Sequence, residues 1–142
     1  MKVSAVVISH GHAGELEHSL PALAPQVDEL LVIANIPGSL PPELPEGVRV
    51  LVNDKPRSFA ANANLGADNT EHELVLVVNP DAVPEPGAVA ALREFLETHP
   101  RAGAVGPKML YSDGTWQASR RSFPTVGATL IRRTPLRLLF PP

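Results

Sequence analysis

Residues 74–81 read LVLVVNPD, an uninterrupted apolar run that ends in two polar side chains on either side of a proline. Five successive Leu and Val residues without alternation predict a strand that is buried on both faces, as in a parallel sheet. In open α/β sheets, ligands bind beyond the carboxyl ends of the strands. The run therefore predicts both a strand and a place to look for a site, at Asn79 and Asp81.

The rest of the chain repeats this pattern of short apolar runs separated by stretches with helical spacing. The spacing of Leu16, Leu20 and Leu23, for example, places three leucines on one face of a helix. Strand–helix alternation of this kind predicts an α/β protein with a mainly parallel sheet and right-handed crossovers. The predicted strands are Val3–Ile8, Leu30–Ala34, Val48–Val52, Leu74–Val78, Ala102–Leu110 and Thr115–Ser119; the predicted helices are Gly14–Ala24, Phe59–Asn69 and Gly87–Thr98; and Asn35–Gly47 is predicted to be a loop.

Length and composition bound the kind of protein. The 142 residues suit one domain, and 44% apolar with 19% charged residues is a globular composition. The absence of cysteine excludes disulfide scaffolds, thiolate metal sites and cysteine nucleophiles. The sequence also lacks a dinucleotide-binding G-x-G-x-x-G, a P-loop and a serine-hydrolase G-x-S-x-G. With no apolar run of about 20 residues and no signal peptide, a cytoplasmic protein is expected.

Charge is distributed unevenly along the chain. The net charge of −3 argues against a nucleic-acid partner, but residues 1–100 hold 5 basic and 14 acidic side chains, whereas residues 101–142 hold 7 basic side chains and one acidic. The basic C-terminal segment is either a solvated surface or a contact for an anionic partner. The second alternative predicts peripheral membrane contact at the inner face of the membrane. The apolar residues within 131–137, if exposed, favour a dimer.

Two kinds of side chain suggest metal or ligand binding at the strand ends. Asp81, with the Asn79 amide two residues earlier, can hold a hard divalent cation, although Asp at a strand end is also a common turn residue or helix cap. His10 directly follows the first strand, where a ligand would contact it. No histidine spacing completes a metal site, and the other histidines are predicted to be surface or loop residues: His12, His18, His72 and His99.

Several motifs, taken in order, resemble family-2 glycosyltransferases with the GT-A fold, and most closely their bacterial rhamnosyltransferase-like branch. The resemblance runs from about Lys2 to about Arg133. It is carried by residues 58–66 (SFAANANLG), residues 74–81, Val105–Lys108, Asp113-Gly114, Gln117–Arg121 and Phe123-Pro124.

The resemblance implies a three-layer α/β/α GT-A fold and a nucleotide-diphosphate sugar as donor. It also implies Mg²⁺ or Mn²⁺ as cofactor, and transfer with inversion to a hydroxyl of a sugar or polyprenyl-linked acceptor. Rhamnosyl transfer in the synthesis of a surface or cell-wall polysaccharide is the corresponding expectation.

Seven residues take roles through the same resemblance. Asp81 matches the last Asp of the D-x-D motif, which meets the metal and the diphosphate, and Asn79 replaces the first Asp. Asn35 matches the second position of the acidic pair after the second strand, where Ala34 departs from the usual Asp. The remaining donor-binding candidates are Ser9 and His10 beside the nucleoside, and Asn62 and Asn64 at the turn near the nucleotide.

The resemblance also implies which part of the family's enzymes residues 1–142 correspond to. Residues 1–142 match a single donor-binding domain that stops before the acceptor half, so the catalytic base is unassigned and little transfer is expected from this chain alone. The alternative is a catalytically incomplete module that binds a nucleotide sugar or a partner. A sugar-nucleotide pyrophosphorylase is disfavoured, because the glycine-rich, basic loop expected after the first strand is missing.

Overall fold

The computed structural model describes residues 1–118 of the chain. The chain divides into two compact units, Met1–Gly106 and Pro107–Pro142. No helix within the described part is long and apolar enough to cross a membrane. The basic segment and residues 131–137, on which the expectations of membrane contact and dimerisation depend, lie largely or wholly outside the described residues.

The first unit is built on a four-stranded sheet in which every neighbouring pair is parallel. The strand order is β3-β2-β1-β4, so the chain adds strands on one side of β1 and then crosses to the other. The four strands predicted from apolar runs are confirmed, with ends that differ by one residue at most. They are β1 (Val3–Ser9), β2 (Glu29–Ala34), β3 (Arg49–Val52) and β4 (Leu74–Val78).

Two helices connect these strands and a third follows β4, all close to their predicted positions. They are α1 (Ala13–Leu23), which continues into a 3₁₀ turn at Ala24–Gln26, α2 (Phe59–Asp68) and α3 (Ala88–Thr98). The predicted loop has neither helix nor strand between β2 and β3. Together with the parallel sheet, these helices confirm the predicted α/β class.

The face of the sheet that packs on α1 holds the larger core. Successive strand residues point to opposite faces, and one set from β1 and β2 packs against the buried leucines of α1 and against Val89 of α3. The spacing of Leu16, Leu20 and Leu23 therefore reflects burial against the sheet, as predicted. The buried members of this cluster are Val3, Ala5, Val7, Leu16, Leu20, Leu23, Leu30, Val32 and Val89.

The opposite face of the sheet packs on α2 through a smaller cluster. Val6, Ile8 and Ile33 are its buried members, and Ala63 of α2 packs against them. Gly66 lets the helix approach closely: a Cβ at this position would lie 2.3 Å from Cγ1 of Val6. The absence of a side chain at Gly66 thus fixes how near α2 sits to β1.

The register of the sheet brings three chain segments level at its carboxyl edge. Ser9 pairs with Ala34, and Ala34 pairs with Val52. Each strand ends at one of these residues, so the next residues along the chain are His10, Asn35 and Asn53. The first residue after each of three adjacent strands therefore lies at the same edge of the sheet.

The second unit contains a short antiparallel pair, β5 (Met109–Leu110) and β6 (Trp116–Gln117). Its turn is held by Asp113, whose Oδ1 accepts hydrogen bonds from the backbone N–H and the hydroxyl of Thr115. The prediction of a strand over residues 102–110 was wrong for residues 102–108, because Gly103, Gly106 and Pro107 interrupt extended pairing. The predicted sixth strand is confirmed at residues 116–117 but not at Thr115 or Ala118, and Ser119 lies outside the described residues.

Candidate functional site

A cleft of about 510 Å³ opens at the carboxyl ends of β1, β2 and β4. This is the edge at which open α/β sheets bind ligands. Helices α1 and α2 begin beside it. Helix N-termini favour negatively charged ligands, whereas Glu15 in the first turn of α1 adds a carboxylate to the lining. Its lining residues are Ile8, His10, His12, Glu15, Asn35, Arg57, Phe59, Asn62, Asn79, Pro80 and Asp81.

Helix α2 enters the cleft through a well-capped first turn. Ser58 is in extended conformation, and its hydroxyl accepts a hydrogen bond from the backbone N–H of Ala61 at 3.3 Å. Such a cap satisfies one of the free N–H groups of the first turn and fixes where the helix begins. Phe59, the first residue of α2, is 56% exposed and presents its ring at the cleft.

Asn35 is buried at the back of the cleft and uses the full hydrogen-bonding capacity of its amide. Its Nδ2 donates to the carbonyl of Arg57 at 3.0 Å and contacts Nδ1 of His10 at 2.9 Å. Its Oδ1 accepts from the backbone N–H of Arg57 and from Nδ2 of Asn53, both at 2.8 Å. Asn35 therefore ties together three segments that lie far apart in the sequence.

Asn53 extends this arrangement to helix α2. Its Nδ2 donates to Oδ1 of Asn35 and, at 2.7 Å, to Oδ1 of Asn62. Asn62 is fully buried. We refer to Asn35, Asn53 and Asn62 as the amide cluster. Its members stabilise one another and the loop between β3 and α2.

Ser9 and Ser39 connect the loops that follow β1 and β2. The Ser9 hydroxyl donates to the carbonyl of Ser39 at 2.7 Å and accepts from the backbone N–H of His12 at 3.3 Å. The Ser39 hydroxyl accepts from the backbone N–H groups of Gly11 and Ile36. Both serines are buried. Gly11 has a φ of +85°, a conformation that glycine adopts without strain. The two loops are thus bonded to each other in several places.

The loop after β4 forms the opposite side of the cleft and is exposed. We refer to Asn79, Pro80 and Asp81 as the β4 loop; the side chains of Asn79 and Asp81 are exposed there. Within residues 1–118, no group of three or more His, Asp or Glu side chains is placed to hold a metal ion by itself. Carboxylate and amide oxygens at Asp81 and Asn79 suit a hard cation that shares its remaining coordination with a diphosphate and water.

The structure brings five of the seven predicted site residues to one cleft: His10, Asn35, Asn62, Asn79 and Asp81. Ser9 is buried behind it with its hydroxyl bonded internally, and Asn64 is exposed on α2 and is not a lining residue. Asp81 follows β4, which is an edge strand among the described residues. These positions locate the side chains, while their roles in donor binding stay predictions.

Six lining residues are not among the predicted site residues: Ile8, His12, Glu15, Arg57, Phe59 and Pro80. His12 was predicted to be an ordinary surface or loop residue. The signal that could have found His12 and Glu15 is their place between the end of β1 and the end of the first turn of α1. Arg57 and Phe59 lie at the equivalent place, where α2 begins.

An open parallel sheet with a polar cleft at its carboxyl edge defines the class of α/β proteins that bind ligands at the ends of their strands. Comparison with known proteins identifies the family: the pattern of Glycosyl transferase family 2 matches residues 16–141, and the chain belongs to this family. The predicted resemblance to family-2, GT-A-fold glycosyltransferases is thereby confirmed.

Individual relatives agree with this assignment. The chain is 40% identical over 73 residues to N-acetylglucosaminyl-diphospho-decaprenol L-rhamnosyltransferase from two strains of Mycobacterium tuberculosis, CDC 1551 / Oshkosh and ATCC 25618 / H37Rv. That match covers 49% of this chain and 24% of each relative, so it spans about a quarter of the relatives' length.

A solved structure supports the fold. The crystal structure of S. aureus TarS, residues 1–349, superposes with a TM-score of 0.56 and 16% sequence identity. The superposition covers 79% of this chain and 40% of the TarS chain. The likeness supports the GT-A fold and, at this level of identity, nothing finer.

Proposed function

We propose that the cleft binds the nucleoside-diphosphate part of a sugar donor and that the chain supplies the donor side of an inverting glycosyltransferase. The observation that carries this proposal is the convergence of Asp81, Arg57 and His10 on one cleft at the carboxyl edge of the sheet. Family membership supports glycosyl transfer as the reaction class. The similarity to rhamnosyltransferases makes a nucleoside-diphosphate rhamnose the first donor to test, and a polyprenyl-diphosphate-linked sugar the first acceptor.

Different residues of the cleft would make different contacts with a bound diphosphate. Arg57 and the first turns of α1 and α2 offer N–H donors and positive potential to the phosphate oxygens. Phe59 offers an exposed aromatic surface beside them. Asp81, with Asn79, would hold Mg²⁺ or Mn²⁺, which when bound neutralises charge on the departing diphosphate. Stabilising that leaving group is the contribution to catalysis that this cleft can make.

Calorimetric titration of the purified chain with UDP, GDP and dTDP, each with Mg²⁺, with Mn²⁺ and with a chelator, tests the proposal. We expect at least one nucleotide to bind in the presence of a divalent cation and to weaken about tenfold or more on chelation. Equal affinity with and without metal would overturn the role assigned to Asp81.

Asp81→Asn identifies the residue responsible. We expect this variant to lose most of the metal-dependent affinity, because an amide replaces the only charged ligand proposed in the β4 loop. Asp68→Asn is the matched control, since Asp68 is an exposed carboxylate at the far end of α2. A similar loss in both variants would show that general charge, and not the proposed site, governs binding.

The acceptor side of the proposal is tested with the donor that binds best. Donor turnover is measured with and without N-acetylglucosaminyl-diphospho-polyprenol. Acceptor-dependent release of the nucleotide supports transferase activity in this chain. Release that is independent of acceptor supports the alternative of a donor-binding module that only hydrolyses slowly.

A further inference from the structure

The hydrogen bonds around Asn35 define the protonation pattern of the neighbouring histidine. The amide orientation of Asn35 follows from the backbone of Arg57, because a backbone N–H can only donate and a carbonyl can only accept. The Arg57 N–H lies 2.8 Å from Oδ1 of Asn35, and the Arg57 carbonyl lies 3.0 Å from its Nδ2. A flipped amide would face both backbone groups with the wrong atoms.

With this orientation, Asn35 turns a donor towards His10. Nδ2 of Asn35 lies 2.9 Å from Nδ1 of His10, and an amide nitrogen accepts no hydrogen bond. Nδ1 must therefore be the acceptor. In a neutral imidazole the proton then resides on Nε2.

We infer that Asn35 is a positioning residue that holds His10 as the Nε2-protonated tautomer, and so presents an N–H donor from His10 to an oxygen of the bound nucleotide. Asn53 reinforces the arrangement, because its Nδ2 occupies the second acceptor position of Asn35 Oδ1. The inference concerns the same site as the proposed function and refines it. Asn35, predicted to contact the nucleotide itself, acts instead through His10.

His12 reaches the same tautomer by an independent contact. Its Nδ1 lies 3.1 Å from the backbone N–H of His10 and accepts that hydrogen. Both histidine rings line the cleft, and each has its Nδ1 occupied. A neutral His12 therefore also carries its proton on Nε2, without any contribution from Asn35. This independence makes His12 an internal control.

Long-range ¹H–¹⁵N correlation spectra of the histidine-labelled, ligand-free chain test the tautomer directly. At about pH 8.5, where ordinary histidines are neutral, we expect protonated Nε2 and bare Nδ1 at His10 and at His12. A protonated Nδ1 at His10 in the unmodified protein would overturn the inference, whether or not any nucleotide binds.

Asn35→Asp provides the sharper test. The carboxylate keeps acceptors for the Arg57 N–H and for Asn53, loses the hydrogen bond to the Arg57 carbonyl, and faces His10 with an oxygen. We therefore expect the His10 proton to move to Nδ1 while His12 is unchanged. An unchanged His10 tautomer in the folded variant would overturn the inference. Ala67→Asp places the same charge on an exposed position of α2 and should leave both histidines as they are.

Binding measurements then identify which part of the nucleotide accepts a hydrogen bond from Nε2–H of His10. Asn35→Asp should weaken Mg²⁺-dependent binding of UDP about tenfold relative to Ala67→Asp, because a lone pair replaces the N–H. A parallel loss for inorganic pyrophosphate places the contact on a phosphate oxygen, and a parallel loss for uridine places it on the nucleoside. Unchanged UDP affinity together with an inverted tautomer would remove the nucleotide contact from the inference. Failure of every nucleotide to bind the unmodified chain would instead count against the proposed function.

Discussion

The two sides of the cleft are built in opposite ways. On one side Asn35 and Asn62 of the amide cluster are buried and Asn53 is half-buried, and their side chains bond to one another and to the backbone of Arg57. On the other side Asn79 and Asp81 in the β4 loop are exposed to solvent. One side has its polar groups satisfied by folding, whereas the other keeps oxygens available.

This difference predicts that the buried side determines the shape of the cleft and that the exposed side determines its affinity for a ligand. A buried amide without partners would cost about 1–3 kcal/mol, so the amide cluster must form when the protein folds. An exposed carboxylate has no such requirement and can take a cation or a ligand at little cost to stability. We therefore expect substitutions in or around the amide cluster to change stability, and substitutions in the β4 loop to change binding.

Gly66→Ala should reduce the stability of the buried side of the cleft more than the other substitutions below. The new Cβ would lie 2.3 Å from Val6 Cγ1, so α2, which carries Asn62, must move away from β1. We expect a loss of about 3 kcal/mol in the free energy of unfolding, measured with urea. Gly14→Ala is the control: it is also helical and has nothing within 4 Å, so it should be neutral or slightly stabilising.

Asn62→Ala should destabilise the chain by about 2 kcal/mol. The variant removes the fully buried Asn62 amide and leaves one Nδ2 hydrogen of the half-buried Asn53 without its acceptor. Asn64→Ala, two residues further along the same helix and exposed, should change stability by less than about 0.5 kcal/mol. Equal effects of the two substitutions in urea unfolding would contradict the distinction between the sides.

Acid should weaken a contact at the amino end of the sheet, where Glu29 begins β2. Burial acts to raise the pKa of Glu29, but hydrogen bonds from Ser4, the Glu71 backbone and Arg49 outweigh it and hold the pKa below its ordinary 4.5. Ionised Glu29 therefore contributes stability above pH 4.5, and this contribution disappears as the pH falls through the folded-state pKa.

Glu29→Gln measures this contribution. Between pH 6 and pH 3, the unmodified chain should lose on the order of 1 kcal/mol more stability than the variant, as followed by urea unfolding at each pH. Parallel curves for the two proteins would show that the acid response originates elsewhere.

Asp81→Asn should have the smallest effect on stability, under about 0.5 kcal/mol, because the side chain is exposed. Thermal unfolding without ligand measures it. A loss above about 1 kcal/mol would mean that the β4 loop also stabilises the fold, and the contrast between the two sides would fail.

The strands were predictable because parallel strands that are buried on both faces leave continuous apolar runs, as in β1 and β2. The prediction of burial on both faces was wrong for β4: at the edge of the described sheet, Val75 and Val77 are exposed. The over-long strand before Leu110 shows the limit of that signal: Val105 lies among residues whose backbone does not pair in the described structure. Apolar composition indicates where a strand can form, whereas glycine and proline decide whether it pairs.

The site was predictable in place but less so in the roles of its residues. A strand end identifies His10, Asn35 and Asp81 as neighbours, because the carboxyl ends of parallel strands meet at one edge. Burial of Asn35 and Asn62 depends on the backbone of Arg57, which is 22 residues from Asn35. No local pattern encodes that contact. Sequence spacing therefore identified polar residues of the right type without showing which ones face the ligand.

The hydrogen bonds that Ser9 and Ser39 make between the loops after β1 and β2 have a kinetic consequence. They hold the loops after β1 and β2 in a single arrangement, so the entropy of ordering these loops is lost during folding and not when a ligand arrives. Entry of a nucleotide on this side then requires no slow loop closure, and its association rate should depend mainly on diffusion and ionic strength. Ser39→Ala removes the hydroxyl that accepts from the Gly11 N–H. The variant would add a conformational step, visible as an association rate that saturates at high nucleotide concentration.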